Sequence, residues 1–133
     1  MRSVLFVCAG NICRSVMAEF LARRAIDDGT YFESAGVTPQ LPKDGQDAVD
    51  VLSEVGIDAS RHIPLSVWQL DLSSFDRIIA MDNFVAKRLT EKTVVSNLEV
   101  WRISDPYGDD FEQYRRTLRQ VQRQILRLKR DML

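Results

Sequence analysis

The chain has 133 residues, of which 45% are hydrophobic and 28% are charged. This balance is typical of a single globular domain that buries a core without disulfides or metals. The formal net charge is only −1, so we expect neither nucleic acid nor a membrane as a partner. The apolar run at residues 3–7 is too short for a signal peptide or a membrane span, which predicts a cytoplasmic protein with reduced cysteines.

The N-terminal half alternates apolar runs with helical patterns. Residues 4–7 are continuously apolar, which predicts a strand buried on both faces. A polar loop covers residues 8–14. Apolar side chains three and four residues apart then predict a helix over about residues 15–29. Residues 31–34 are predicted to form the second strand.

The C-terminal half continues this alternation. Apolar residues on one face predict a helix over 48–55, with Gly56 as its C-cap. A buried strand is predicted at 77–81, and Asp82 is expected to cap a helix that ends near Leu89. The last strand is predicted at 98–103. Apolar residues at spacings of three and four from Phe111 to Met132 predict a long amphipathic helix.

Repeated strand–helix alternation predicts an α/β domain with a parallel sheet and right-handed crossovers. Ligands of such sheets bind at the carboxyl ends of the strands. Two loops at that edge carry reactive side chains, namely residues 8–15 after the first strand and residues 105–108 after the last. The functional site is therefore expected where these two loops meet.

The first loop reads Cys-Ala-Gly-Asn-Ile-Cys-Arg-Ser and places Cys8 and Arg14 at Cys-x5-Arg spacing. A helix start offers unpaired N–H groups, and a loop containing Gly10 and Asn11 can turn further amides inward around an anion. The helix end and Arg14 favour the thiolate of Cys8, and Arg14 can hold two phosphate oxygens in a planar fork. A buried cysteine beside a surface arginine is the alternative, which the strand–loop–helix context disfavours.

The second loop, Ser-Asp-Pro-Tyr-Gly, begins at Ser104 and contains Asp105. Phosphoryl transfer to a thiolate requires a proton for the departing oxygen, which the carboxylic acid of Asp105 can supply. Asp-Pro also opens turns frequently, and spacing alone favours that interpretation. Its occurrence together with the Cys8 loop favours the catalytic acid.

These motifs resemble those of low-molecular-weight protein tyrosine phosphatases, and the resemblance covers residues 1–133 as one domain. That family has Val-Cys-x-Gly-Asn-x-Cys-Arg-Ser at its start, matched by residues 7–15, and Asp-Pro-Tyr before its last helix, matched by residues 105–107. Residues 34–36 and His62 match further landmarks. The resemblance implies a three-layer domain with a four-stranded parallel sheet in the order 2-1-3-4, flanked by helices.

The resemblance also implies the residue roles. Cys8 attacks phosphorus and becomes phosphocysteine, while Asp105 protonates the leaving tyrosine oxygen and then activates water. Ser15 donates a hydrogen bond to the Cys8 sulfur, and Ile12 and Tyr107 flank the substrate ring. The implied phosphate-binding residues are Ala9, Gly10, Asn11, Ile12, Cys13 and Arg14, and the supporting residues are Asn11, Ser15, Ser34 and His62.

Three alternatives bear on this function. Thioredoxin-coupled arsenate reductases relay electrons through downstream cysteines, and none follows Cys13 here. Protein-arginine phosphatases tend to have a small hydroxyl residue where this chain has Ile12, and Ile12 with Tyr107 fits a flat ring better. A phosphate-binding module without turnover is disfavoured by the joint presence of Cys8, Arg14 and Asp105.

Further expectations concern partners and modification. No cofactor is expected, and two cysteines with one histidine make a zinc site implausible. Phosphotyrosine proteins are the expected partners, with a bacterial tyrosine kinase among them by analogy with relatives. Cys13 is either a packing residue or the partner of Cys8 in a reversible disulfide, which the resemblance favours.

Several positions depart from the family pattern, with Val16 in place of proline, Leu65 in place of arginine and Gly108 in place of an aromatic residue. Position 65 leaves part of the supporting network unassigned. Residues 112–133 contain seven basic and two acidic residues. We interpret this basic helix face as solvated, with a docking site for an acidic partner as the alternative.

Overall fold

The computed structural model describes residues 2–133, and within them four strands alternate with four α-helices. The strands are β1 (Ser3–Cys8), β2 (Tyr31–Gly36), β3 (Arg77–Ala80) and β4 (Leu98–Val100). The helices are α1 (Arg14–Ala25), α2 (Gln46–Glu54), α3 (Asn83–Lys92) and α4 (Phe111–Asp131). Among these residues no helix is long and apolar enough to cross a bilayer.

The four strands form one parallel sheet in the order β2-β1-β3-β4. Strand β1 is central, and its Val7 is in register with Ala35 on one side and Ala80 on the other. Five of its six residues are buried, as expected for a strand covered on both faces. The predicted α/β fold and the predicted strand order are confirmed.

Helices cover both faces of the sheet and give the domain three layers. Val4 and Phe6 point into the larger core cluster, which is completed by α1, α2 and α4. Leu5 and Val7 alternate to the opposite face and join the smaller cluster beside α3. The period-two alternation of β1 therefore supplies both cores, and it fixes the loop after Cys8 at the carboxyl edge of the sheet.

Helix α1 ends four residues earlier than the sequence pattern suggests. Its last residue is Ala25, and Gly29 adopts a left-handed conformation with φ 84°. Between them the Asp28 carboxylate accepts hydrogen bonds from the backbone N–H and the hydroxyl of Thr30. This turn uses backbone groups that would otherwise continue the helix, which explains why α1 ends early.

The strand boundaries also differ from the prediction. Strand β2 continues two residues further, to Gly36, whereas β4 already ends at Val100. The chain after β4 nevertheless stays beside β3, because Trp101 donates to the Ala80 carbonyl at 2.8 Å and Ile103 donates to the next carbonyl at 3.0 Å. This extended segment delivers the Asp105 loop to the carboxyl edge of the sheet.

Candidate active site

The two predicted loops meet at a cavity of about 150 Å³. Both lie at the carboxyl edge of the sheet, one after β1 and the other after β4. The cavity is lined by Cys8, Ala9, Gly10, Ile12, Cys13, Arg14, Gln40, Asp105 and Tyr107. Eight of these nine residues were singled out from the sequence. Gln40 was missed, because the loop after β2 gave no chemical motif.

The first loop ends at the uncapped N-terminus of α1. Cys13 is the N-cap residue, but its side chain makes no capping hydrogen bond, and the first turn contains no acidic residue. The N–H groups of this turn therefore have no side-chain acceptor. An anion in the cavity fits this helix end, where the unpaired amides and the helix dipole both favour negative charge.

Asn11 holds the loop in shape from behind, with a left-handed φ of 55°. Its Nδ2 donates to Ser15 Oγ and to Ser34 Oγ, both at 2.9 Å. Its Oδ1 accepts from the Leu65 backbone N–H at 2.9 Å, and its carbonyl oxygen contacts His62 Nε2 at 2.9 Å. Four contacts thus fix a conformation that a non-glycine residue otherwise rarely adopts.

Position 65 supports the loop although it carries no arginine. The contact with Asn11 Oδ1 is made by the backbone N–H of Leu65, so it does not depend on the side chain. Val16 likewise leaves the helix start in place, since α1 begins at Arg14. These two departures from the family pattern therefore leave the loop geometry intact.

The hydrogen bonds behind the loop have a defined direction that ends at the Cys8 sulfur. Ser15 Oγ accepts from Asn11 Nδ2, so its own hydrogen is free for Cys8 Sγ at 2.9 Å. The Asn11 backbone N–H is a second donor to this sulfur, at 3.3 Å. Two hydrogen-bond donors therefore converge on the Cys8 sulfur, an arrangement that suits both a nucleophile and a leaving group.

Glu19 extends this network and was not predicted. It is 3% exposed, accepts a hydrogen bond from Ser34 Oγ, and pairs with Arg23 at 2.6 Å. Burial raises the pKa of this carboxyl group, while Ser34 and Arg23 act in the opposite direction. The sequence contained one clue, because Glu19 lies four residues after Ser15 and so shares its helix face.

His62 acts here as a neutral donor. Burial lowers the pKa of its imidazole, and its Nε2 lies 2.9 Å from the carbonyl oxygen of Asn11. Because a carbonyl oxygen only accepts, Nε2 carries the hydrogen. The side chain lies behind the loop and away from the cavity lining, which agrees with a supporting role.

Arg14 presents one edge of its guanidinium to the cavity. The side chain is 3% exposed, and its Nη1 donates to Asp82 at 2.8 Å and to the Ile103 carbonyl at 3.0 Å. Its Nε has no hydrogen-bond partner, and its Nη2 has only a 3.6 Å contact with Asp105. The Nε–Nη2 edge is therefore preorganised to bind two oxygens of a phosphate group.

The role predicted for Asp82 was that of a helix cap. It does accept from the Val85 N–H at 2.8 Å as the N-cap of α3. Its other carboxylate oxygen fixes Arg14. Because Asp82 follows β3, it lies at the same carboxyl edge of the sheet as the two loops. This position in the sequence could have indicated that Asp82 belongs to the site.

The Asp105 carboxyl group closes a turn and also lies at the cavity. Its Oδ1 accepts from the Tyr107 N–H at 3.1 Å and thereby closes the turn. Its Oδ2 lies 3.6 Å from Arg14 Nη2, at the cavity, and the side chain is 49% exposed. Half-exposure allows proton exchange with solvent, and the position near Arg14 suits a group that acts on a phosphate ester.

Cys13 differs from Cys8 in its surroundings. Both are free thiols and buried, but Cys13 Sγ lies 3.7 Å from the hydroxyl of Tyr114. Burial raises the pKa of the Cys13 thiol to about 12. At neutral pH Cys13 is therefore a protonated, poorly nucleophilic thiol beside Cys8.

Gly36 allows β2 to pass directly beneath the loop. A Cβ atom at this position would lie 2.9 Å from both the Ala9 oxygen and the Asn11 nitrogen. We expect Gly36→Ala to displace the loop, to lower the free energy of unfolding by roughly 1–3 kcal/mol and to weaken phosphate binding. Urea unfolding and inhibition by inorganic phosphate measure the two effects. The exposed Thr38→Ala change serves as control, and an unchanged phosphate affinity in Gly36→Ala would contradict this contact.

Comparison with known proteins identifies the family of this chain. Residues 3–132 match the model of the family described as low molecular weight phosphotyrosine protein phosphatase. A probable low molecular weight protein-tyrosine-phosphatase, EpsP of Ralstonia nicotianae, is 31% identical over 93% of this chain and 91% of its own length. Arsenate reductase 2 of Staphylococcus epidermidis is 27% identical over 93% of each chain.

Solved structures share the architecture. A low molecular weight protein tyrosine phosphatase from T. tengcongensis is 30% identical, with a TM-score of 0.88 over 98% of this chain and 99% of the other. The YwlE arginine phosphatase of Geobacillus stearothermophilus is 27% identical, with a TM-score of 0.85 over 99% and 93%. The family model covers nearly the whole chain, which therefore belongs to the low molecular weight phosphotyrosine protein phosphatases.

Proposed function

We propose that this chain is a protein tyrosine phosphatase that hydrolyses phosphotyrosine through a phosphocysteine on Cys8. The observation that carries the proposal is the free Nε–Nη2 edge of Arg14 in the same cavity as the Cys8 sulfur. A buried N–H group without a partner is costly, by about 1–3 kcal/mol, and a bound phosphate satisfies it. One loop thus supplies both the phosphate-binding groups and the nucleophile.

The reaction proceeds in two steps. The Cys8 thiolate attacks phosphorus, while Asp105 gives its proton to the departing tyrosine oxygen as the P–O bond breaks. Asp105, now a carboxylate, then takes a proton from water, which attacks the phosphocysteine and releases phosphate. The hydrogen bond from Ser15 stabilises the Cys8 sulfur as it departs.

The cavity favours an aryl phosphate over the substrates of other relatives. Ile12 and Tyr107 line it and provide an apolar wall and an aromatic ring for a flat phenyl group. No cysteine follows Cys13, so this chain lacks the downstream thiols through which arsenate reduction would be completed. The proposed physiological substrates are phosphotyrosine proteins, with a bacterial tyrosine kinase among the proposed partners.

A comparison of substrates tests the proposal. We expect kcat/KM for a phosphotyrosine peptide to exceed that for the matched phosphoarginine peptide by about 10²-fold, with ready turnover of p-nitrophenyl phosphate and no thioredoxin-coupled reduction of arsenate. The Ile12→Thr variant is expected to reduce the preference for the aryl substrate. Phosphate binding without turnover of any ester would instead identify a binding module, and faster phosphoarginine hydrolysis would identify an arginine phosphatase.

A further inference from the structure

The outward face of α4 carries a stripe of arginines. Arg116, Arg119, Arg123, Arg127 and Arg130 are all exposed. Their spacings of three and four residues place them on one side of the helix. At 1.5 Å per residue this arginine stripe is roughly 21 Å long.

Most of this charge is not neutralised by the protein itself. Arg119 lies 3.5 Å from Glu112, whose carboxylate is shared with Arg115. Among residues 2–133, none of the other four arginines in the stripe lies within ion-pair distance of a carboxylate. Like charges three and four residues apart destabilise a helix, and carboxylates from a partner would offset this repulsion.

A groove beside the stripe adds an apolar contact surface. It lies between α1 and α4, has a volume of about 270 Å³, and is lined by Leu21, Arg24, Ala25, Gln122, Ile125 and Leu126. Leu126 is 54% exposed, although it adjoins the charged face. Arginines beside an apolar groove suit a polypeptide that carries both acidic and apolar side chains.

The stripe also leads away from the catalytic cavity. Helix α4 is capped by Asp110, shortly after Tyr107 in the cavity wall. At its other end Asp131 lies 3.8 Å from Arg77, the first residue of β3. The helix therefore runs from the carboxyl to the amino edge of the sheet. An extended segment of about six residues spans the stripe.

We propose that the arginine stripe binds an acidic segment of the phosphorylated protein substrate, while the phosphotyrosine occupies the cavity. This inference rests on the proposed function and adds a determinant of substrate choice outside the cavity. Exposed ion pairs are individually weak, but four unneutralised cations act together and raise the rate of encounter with an acidic chain.

Two pairs of peptides and two variants test this inference. Every peptide contains one phosphotyrosine, and within a pair one peptide has a flank of six glutamates and the other a flank of six glutamines. The flank precedes the tyrosine in one pair and follows it in the other. In the stripe variant the four unpaired arginines become glutamine. The control variant changes four cations elsewhere to glutamine, at Arg61, Lys87, Arg88 and Lys92.

We expect the unmodified protein to prefer a glutamate peptide by about tenfold in kcat/KM at low salt, and the preference to disappear in the stripe variant and at high salt. The control variant should keep it, and p-nitrophenyl phosphate turnover should be equal in all three proteins.

An unchanged preference in the stripe variant, or none in the unmodified protein, would overturn the inference. Loss of binding to phosphatidylserine vesicles without a peptide effect would also overturn it and point to a membrane. Absence of p-nitrophenyl phosphate turnover in every protein would instead refute the proposed function.

Discussion

Cys8→Ser is expected to abolish turnover, with kcat lowered by at least about 10⁴-fold, while inorganic phosphate still binds. A serine hydroxyl ionises far less readily than a thiol and its oxygen leaves phosphorus less readily than sulfur, so the two-step cycle is expected to stall. The proposed phosphate contacts come from the Arg14 guanidinium and the loop amides, and the substitution removes neither. Steady-state kinetics with p-nitrophenyl phosphate and calorimetric titration with phosphate measure the two quantities. Substantial residual activity would exclude Cys8 as the nucleophile.

Cys13→Ser provides the matched control. Cys13 lines the same cavity, but its raised thiol pKa gives it no role as a nucleophile at neutral pH, so turnover without oxidant should be retained. We also propose that Cys13 forms a disulfide with Cys8 after Cys8 is oxidised to its sulfenic acid by peroxide, with loss of water. In the Cys13→Ser variant the sulfenic acid stays exposed to peroxide, and a second peroxide oxidises it to the sulfinic acid, which dithiothreitol does not reduce. After excess peroxide the unmodified protein should therefore recover with dithiothreitol and the Cys13→Ser variant should not. Equal recovery of both proteins would reject the disulfide.

The features that could be predicted from the sequence are those encoded over short distances. The apolar run of β1, the loop at residues 8–15 and the start of α1 follow each other directly, so their relative position follows from local geometry. The same holds for Asp105 after β4. Because strands of a parallel sheet end at one edge, the meeting of the two loops follows from the strand–helix alternation.

Contacts between distant segments escaped prediction. Asp82 could be recognised as a helix cap from its neighbours, but its ion pair with Arg14 requires β3 to lie beside β1. Gln40 enters the cavity only because the chain after β2 returns over the first loop, where its N–H donates to the Gly10 carbonyl at 3.0 Å. Sequence spacing contains no information on such approaches, since they depend on strand order and on the path of loops.

The hydrogen bonds around Asn11 show what a family resemblance predicts and what only the structure supplies. Resemblance to a family suggested Ser34 and His62 as supports for Asn11, but it did not give the direction of their hydrogen bonds. The structure supplies it, because the side-chain amide of Asn11 donates to two hydroxyls and the backbone carbonyl of Asn11 accepts from His62. Only with these directions does the Ser15 hydrogen become available to the Cys8 sulfur.

Asp105→Asn is expected to lower kcat/KM for phosphotyrosine by about 10²–10⁴-fold, and to lower it much less for p-nitrophenyl phosphate. Asparagine keeps the carbonyl-type oxygen that accepts from the Tyr107 N–H, so the turn should persist and only the proton donor is lost. A leaving group that is stable as an anion needs little protonation, whereas a tyrosine oxygen needs it most. The slope of log kcat/KM against the pKa of the leaving phenol should therefore become steeper in the variant.

The choice of kcat/KM is essential, because Asp105 is assigned to both steps. The value of kcat/KM reports steps up to departure of the phenol, whereas kcat also includes hydrolysis of the phosphocysteine, which is the same for every substrate. If hydrolysis limits the variant, kcat becomes independent of the leaving group even though the acid role is real. Asp109→Asn, an exposed carboxyl group in the same loop, should change neither quantity. An equal loss of kcat/KM for good and poor leaving groups would contradict the acid role. Asp105 would then have only the structural role of closing the turn.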